Sequence, residues 1–288
     1  MAPTPSVNAL GQPLLIFEAE LDYRANSLRG YWGPVSSSID WCERNYVVTP
    51  YIAEFYNTCS NLAMVLLGLL GMYLASREGH EKRYIVTSFT LFAIGCGSAA
   101  FHGTLTHIGQ QGDETPMVVG SAVWLWCLAF SDPAFEARNP ALARRAAWAC
   151  GALTALFAVA HYTFAFVAVF QGLIAVMATV MVATLSVRWR RSPDRSLTPP
   201  YCAYMLSILT ALPLWLLDQH ACAHLHALRG GVPNPQFHAW WHILMGANCY
   251  LAPVVEGSMR LAARGQKPRV RYCLGLIPYV QRGNPRST

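Results

Sequence analysis

AAWACGALTALFAVAHYTFAFVAVFQGLIAVMATVMVATLSV, residues 146–187, runs for 42 residues without an Asp, Glu, Lys or Arg. As one helix rising 1.5 Å per residue it would be roughly 60 Å long, about twice the ~30 Å hydrocarbon core of a bilayer. It therefore has to fold back on itself, near His161 and Tyr162, and reads as two spans, 146–163 and 165–187. Working outward, further apolar blocks occupy 57–75, 84–103, 115–131, 201–217 and 238–257, separated by short connections carrying polar residues, Pro or Gly. Seven passes is the simplest count. The composition agrees, since 54% of residues are hydrophobic and only 12% charged, about half the charged share of a soluble domain. Backbone groups in lipid must satisfy one another, so spans of this length are helical. The expected fold is all-α: a polytopic membrane protein built as a seven-transmembrane helix bundle.

Three regions are expected. Residues 1–54 form an amphipathic or irregular head with Glu18, Glu20, Asp22, Asp40, Glu43 and Glu54. The bundle covers 55–258. A basic tail, 259–288, is broken by Gly275, Pro278, Gly283 and Pro285, and is expected to be disordered or to lie at the membrane interface. The opening segment, MAPTPSVNALGQPLLIFEAELDYR, lacks the basic start of a secretory signal, so the first span should act as the targeting element.

With seven spans, 17 of the 21 Lys and Arg residues fall on one side, and only Arg24, Arg29, Arg44 and Arg229 on the other. Short loops rich in cations stay cytoplasmic, which gives a lumenal or outward N-terminus and a cytoplasmic C-terminus. The net charge of +6 is thus a topological signal. Nucleic acid is not an expected partner, because RVRY at 269–272 is a short basic patch beside a span rather than a recognition module. Of nine cysteines, six sit in or beside spans and behave as small hydrophobes. Cys42 and Cys222 both fall on the non-cytoplasmic side, where they could either pair or stay free; a bridge would pin the head to the connection between spans six and seven.

The polar residues inside the spans carry the chemistry. HAWWH, residues 238–242, places His238 and His242 on one helix face. The spacing is that of the zinc-hydrolase helix HExxH, but Ala239 stands where that motif has its acid. GCGSAAFHGTLTH, residues 95–107, brings His102 to the same membrane depth from span two, with Ser98 four residues earlier on the same face. Three neutral imidazoles with a fourth position open describe a catalytic zinc site. Satisfied core histidines, or a serine kept for close packing, would account for the same residues. Asp113, in QGDETPM, lies near that depth and could act as acid or base. Glu114 beside it reads equally well as a solvated or capping acid ahead of Pro116, which favours a first helical turn. His107, His161, His220, His224 and His226 could enlarge the cluster.

GYWGPVSSSIDWCERNYVVTPYIAEFYNTCSNL at 30–62, GSAAFHGTL at 97–105, QQGDETPM at 110–117 and HAWWHILMG at 238–246 together resemble the alkaline ceramidase family, over roughly residues 28–260. The residues ahead of the first block form an unmatched extension. The resemblance implies a multi-pass enzyme of the endoplasmic reticulum or Golgi that hydrolyses the amide of a ceramide-type membrane lipid to a sphingoid base and a fatty acid. It implies catalytic Zn2+ on His102, His238 and His242, Ser98 as the motif serine and Asp113 as acid/base. It also implies structural or regulatory Ca2+ in the head, on Asp40, Trp41 through its backbone carbonyl, Glu43, Asn45 and Glu54. Such hard oxygen donors suit calcium on their own terms, although arginine pairing or plain surface acids would fit the sequence too. The alternatives are a zinc-containing seven-pass receptor-like protein and a hydrolase or remodelling enzyme for another lipid amide or ester.

Overall fold

The computed structural model describes residues 30–226 and 234–283. Glu18, Glu20, Asp22 and the rest of the N-terminal extension, Arg229, the His226 side chain and the last five residues with Pro285 lie outside the described residues.

The charge-free stretch forms two helices, α6 (Pro140–Phe164) and α7 (Val167–Arg191), so it does fold back. The reversal falls at Ala165 and Phe166, four residues beyond the expected place. Ala165 adopts the left-handed conformation (φ 48°) and donates its N–H to the His161 carbonyl at 2.8 Å, closing the helix end. His161 is itself tied into the interior, which carries α6 on for another turn.

The remaining helices follow the expected blocks. They are α1 (Phe55–Ser60) continuing into α2 (Leu62–Arg77), α3 (Lys82–Thr104), α4 (His107–Ala129), the short α5 (Pro133–Arg138), α8 (Thr198–His220), the short α9 (Cys222–His226) and α10 (Phe237–Ala263). Five helical stretches are long and apolar enough to cross a membrane: 55–77, 82–104, 140–164, 167–191 and 195–220. The other two long helices, α4 and α10, are diluted by the polar side chains they turn inward. Leu153, Leu156 and Val159 of α6 and Val169 and Val176 of α7 are each at least 60% exposed. In water such an oily exterior would drive aggregation; in lipid it is the solvated face.

Helix α3 packs between α2 and α4, and α10 packs against α8 and α2. The α3–α4 contact depends on backbone chemistry. Pro116 lies within α4, nine residues past its start rather than in the first turn. Lacking an N–H, it leaves the Gly112 carbonyl without its helical donor. That carbonyl faces Gly97 of α3 so closely that a Cβ there would lie 1.8 Å from the oxygen. Only glycine permits the approach.

The opposite end of the bundle is locked by Arg260, 1% exposed. Its guanidinium donates to Glu81 (2.6 Å), to Glu136 (2.5 Å) and to the carbonyls of Phe130 (2.7 Å) and Ser131 (3.0 Å). Buried arginine is tolerated when every donor is matched in this way. Beyond it the basic tail is ordered rather than irregular, forming an antiparallel hairpin of β1 (Arg269–Cys273) and β2 (Ile277–Gln281) that adds two strands to an otherwise helical fold.

Candidate metal centre

Residues 30–54 have little regular structure and cover one end of the bundle. Their fold is set by bonds to buried side chains. Cys42 is disulfide-bonded to Cys222, so the head is pinned to the connection after α8 as one of the two sequence readings had it. The Cys42 N–H also donates to Asp218 Oδ2 at 3.2 Å, while Asp218 Oδ1 accepts from the N–H of His238 at 3.2 Å. The first turn of α10 has no side-chain cap of its own. Asp218, reaching across from α8, supplies an acceptor there.

Beneath the head, His102 of α3 and His238 and His242 of α10 converge. Their candidate ligand atoms all lie within 4.8 Å of one another, and no other such group occurs among the described residues. The rings are 0%, 3% and 3% exposed. Neighbours set how each is held. Glu54 Oε2 forms a short hydrogen bond with His102 Nδ1; with the carboxyl ionised, the shared proton belongs to Nδ1 and Nε2 is left as a bare lone pair. Nothing else meets that Nε2. Ser60 donates its hydroxyl proton to the Asn57 carbonyl at 2.8 Å, so at 2.8 Å from His242 Nδ1 its oxygen must accept. His242 Nε2 is therefore a lone pair as well. His238 stacks on Trp41 with ring centroids 3.6 Å apart, and its Nδ1 has no partner. Buried nitrogens without donors are costly unless something electron-poor sits among them. The donor set fits a borderline-soft dication such as zinc.

Ser98 Oγ is 3.5 Å from His242 Nε2, and Asp113 lies on α4 opposite the Gly97–Ser98 segment of α3. The Gly97–Gly112 contact, one residue away on each helix, brings these two together. The three histidines meet, with Ser98 beside His242.

Glu54 also belongs to a second cluster. Its Oε1 accepts the Trp41 N–H at 3.0 Å and its Oε2 the Asn57 side chain at 3.1 Å. Glu43 accepts the backbone N–H groups of Tyr56 (2.7 Å) and Asn57 (2.8 Å), fastening the head to the start of α1. Asp40 accepts from Asn45 Nδ2 at 3.1 Å, and Asn45 Oδ1 is buried without a partner. Burial, reinforced by neighbouring Glu54, holds the Asp40 carboxyl well above the usual range and pushes Glu43 up to about 7; burial pushes Glu54 up to about 8.

Several sequence expectations divide here. Glu114 is neither solvated nor a cap: it is 3% exposed and forms a short hydrogen bond with His161, while Gln110 donates to its other oxygen at 3.1 Å and accepts the Ser38 N–H at 2.7 Å. Phe157, Phe166 and Phe170 surround His161. His107 bonds the Tyr162 carbonyl at 3.0 Å, and neither it nor His161 joins the cluster of three. Asp218, Ser60 and the paired role of Glu54 were not foreseen. The signal for Asp218 was an acid closing an apolar span, in LLDQH, at the depth of the histidines.

A membrane-type helix bundle that buries three histidines with unpartnered nitrogens beside a serine is a candidate intramembrane metallohydrolase. The ceramidase family profile matches residues 33–281. The chain is 32% identical to an alkaline ceramidase of Arabidopsis thaliana, over 91% of its own length and 99% of the relative's. It is 33% identical to alkaline ceramidase 3 of Mus musculus, covering 88% and 94% of the two chains, and 30% identical to an alkaline ceramidase of Saccharomyces cerevisiae, covering 90% and 95%. The chain belongs to the ceramidase family and is an enzyme of the alkaline ceramidase type, hydrolysing an amide in a membrane lipid.

Proposed function

We propose that the protein is a zinc-dependent ceramide amidohydrolase crossing the endoplasmic reticulum or Golgi membrane seven times, with α4 and α10 joining the five apolar spans. The charge bias supports a lumenal head, including residues 1–54, a bundle over 55–258 and a cytoplasmic tail from 259. One observation carries the reading: three buried histidines gather their ring nitrogens within 4.8 Å of one another, directly beside Ser98, in a ceramidase-family chain.

His102, His238 and His242 would hold the zinc, which when bound supplies a Lewis acid that makes water a better nucleophile near neutral pH. Asp113 takes the proton from the attacking water as its oxygen bonds to the amide carbon. Ser98 donates its hydroxyl to the oxygen on which negative charge develops. As the carbon–nitrogen bond breaks, Asp113 returns the proton to the departing amine, leaving a fatty acid and a sphingoid base. Placing this chemistry in the bundle keeps the substrate chains in lipid, since exposing them to water would cost about 0.8 kcal/mol per CH2.

Asp40, Glu43, Asn45, Glu54 and the Trp41 carbonyl would hold calcium. The crowded carboxyls and the unpartnered Asn45 oxygen support this, because a dication would relieve both. Calcium would fix the head, and with it Glu54, without entering the chemistry.

The test is metal analysis of the purified full-length protein together with assay of fatty acid and sphingoid base released from ceramide. His238→Ala should lose both zinc and turnover. Parent-level hydrolysis by a zinc-free variant would overturn the mechanism.

A further inference from the structure

The tail hairpin has a distribution of side chains that a water-exposed β-turn does not need. Its tip, Leu274–Gly275–Leu276, carries two leucines that are 88% and 82% exposed. The Leu276 N–H donates to the Cys273 carbonyl at 3.1 Å, and both Leu274 (φ 51°) and Gly275 (φ 72°) are left-handed. Asn or Gly is the ordinary first residue of such a turn, because a Cβ-bearing apolar residue is strained there and gains nothing from water. The base has the opposite character. Lys267, Arg269, Arg271 and Arg282 are exposed, none forms an ion pair among the described residues, and no Asp or Glu occurs from residue 257 to the C-terminus.

The direction of the hairpin follows from what holds it. At the base, the Val280 carbonyl meets His80 at 2.8 Å, in the loop between α2 and α3, and Arg282 bonds the Gly79 carbonyl. Two residues nearer the tip, the Pro278 carbonyl accepts from the Tyr250 hydroxyl at 2.9 Å. Tyr250 lies ten residues up α10 from Arg260, away from the basic end. The strands therefore run back alongside the bundle, and the tip stands about two residues beyond Pro278 in the same direction, a further ~7 Å. Cationic groups lie at the level of the helix ends and leucines at the level of the apolar helix faces.

We infer that this hairpin is a membrane-dipping wedge, with Leu274 and Leu276 in the boundary between headgroups and acyl chains and Arg269 and Arg271 against anionic headgroups of the same leaflet. Charge complementarity selects an anionic leaflet as the partner. The depth is limited because the outer edge of β1 keeps backbone groups that need polar company. An apolar tip below a cationic collar is the arrangement expected of an interfacial anchor, and each part strengthens the other.

The experiment uses full-length protein in lipid nanodiscs and the variant Leu276→Trp, read as the difference in tryptophan emission from the parent protein. In discs of phosphatidylcholine with phosphatidylserine, the added emission should be shifted to shorter wavelength than a water-exposed indole and should lose at least about half its intensity when the acyl chains are brominated. Removing phosphatidylserine, or adding Arg269→Gln and Arg271→Gln, should weaken that quenching. Emission at the water-exposed wavelength, quenched by aqueous acrylamide and indifferent to brominated chains, would overturn the proposal, as would a blue-shifted tip that no lipid bromine quenches, the behaviour of a protein contact. Equal quenching in neutral and anionic discs would overturn the assignment of anionic lipid.

Discussion

Replacing Glu54 by Gln tests whether the head and the histidine cluster act together. The carboxylate has three roles: Oε1 accepts the Trp41 N–H at 3.0 Å, while Oε2 accepts the Asn57 side chain at 3.1 Å and His102 Nδ1. A glutamine placed with its oxygen toward Trp41 would aim an NH2 at two other donors. The simplest relief is for His102 to move its proton to Nε2, which spoils the nitrogen that faces the other histidines. Losing the carboxylate partner of a metal-binding histidine typically costs about 10–100-fold in metal affinity, or ~1.4–2.7 kcal/mol. The assay is competition for zinc against a graded chelator, with zinc per protein measured directly and ceramide turnover followed in parallel. Glu54→Gln should require higher free zinc for half-occupancy, and added zinc should restore part of its turnover. Because the same carboxylate belongs to the proposed calcium cluster, the response to calcium should also be lost. Parent-level zinc affinity with an intact calcium response would refute the coupling.

Asp218→Ala leaves the buried N–H groups of Cys42 and His238 without an acceptor, and at ~1–3 kcal/mol each the loss should lower the thermal midpoint and loosen zinc retention together. Gly97→Ala sets a methyl against the Gly112 carbonyl and should separate α3 from α4, costing about 1–3 kcal/mol of stability and, through displaced Asp113, most of the turnover. Ser98→Ala should reduce kcat about 100–1,000-fold with zinc content unchanged, and Asp113→Asn about 100–10,000-fold; loss of zinc from either would assign it to metal retention instead. Calcium binding should release protons, with affinity rising between about pH 6 and pH 9, read by calorimetry in buffers of different ionisation enthalpy. The sign follows from Glu43 and Glu54, raised from 4.5 to about 7 and about 8: the folded metal-free head holds protons that the unfolded chain has already lost, so its stability falls as pH rises from 4.5 to those values and levels off above them.

The fold was legible wherever a long apolar block stood between charges, because hydrocarbon thickness converts such a block directly into a helix of known length. The errors fall where polar side chains decide the local geometry. Helix α4 begins at His107 rather than near residue 115, since Thr106 caps Gly109 at 3.1 Å and inward-facing Gln110, Asp113 and Glu114 disguise its first turns as a loop. The same disguise hides α10 from a purely apolar criterion, and both helices carry the site. Spacing along the chain revealed the histidines, because i and i+4 is a property of one helix and depth is a property of topology. Nothing in the spacing revealed Glu54 as the partner of His102, or Asp218 as the partner of His238. Those contacts join residues 48 and 20 positions apart, the first through the head and the second across the connection between α8 and α10. The hard part to read is thus the part that fixes tautomer and orientation, and it lies in contacts between separate segments, where no periodicity exists to be read. An imidazole cluster in a bundle becomes a defined ligand set only when outside groups assign each proton, and here Glu54 and Ser60 assign two of the three.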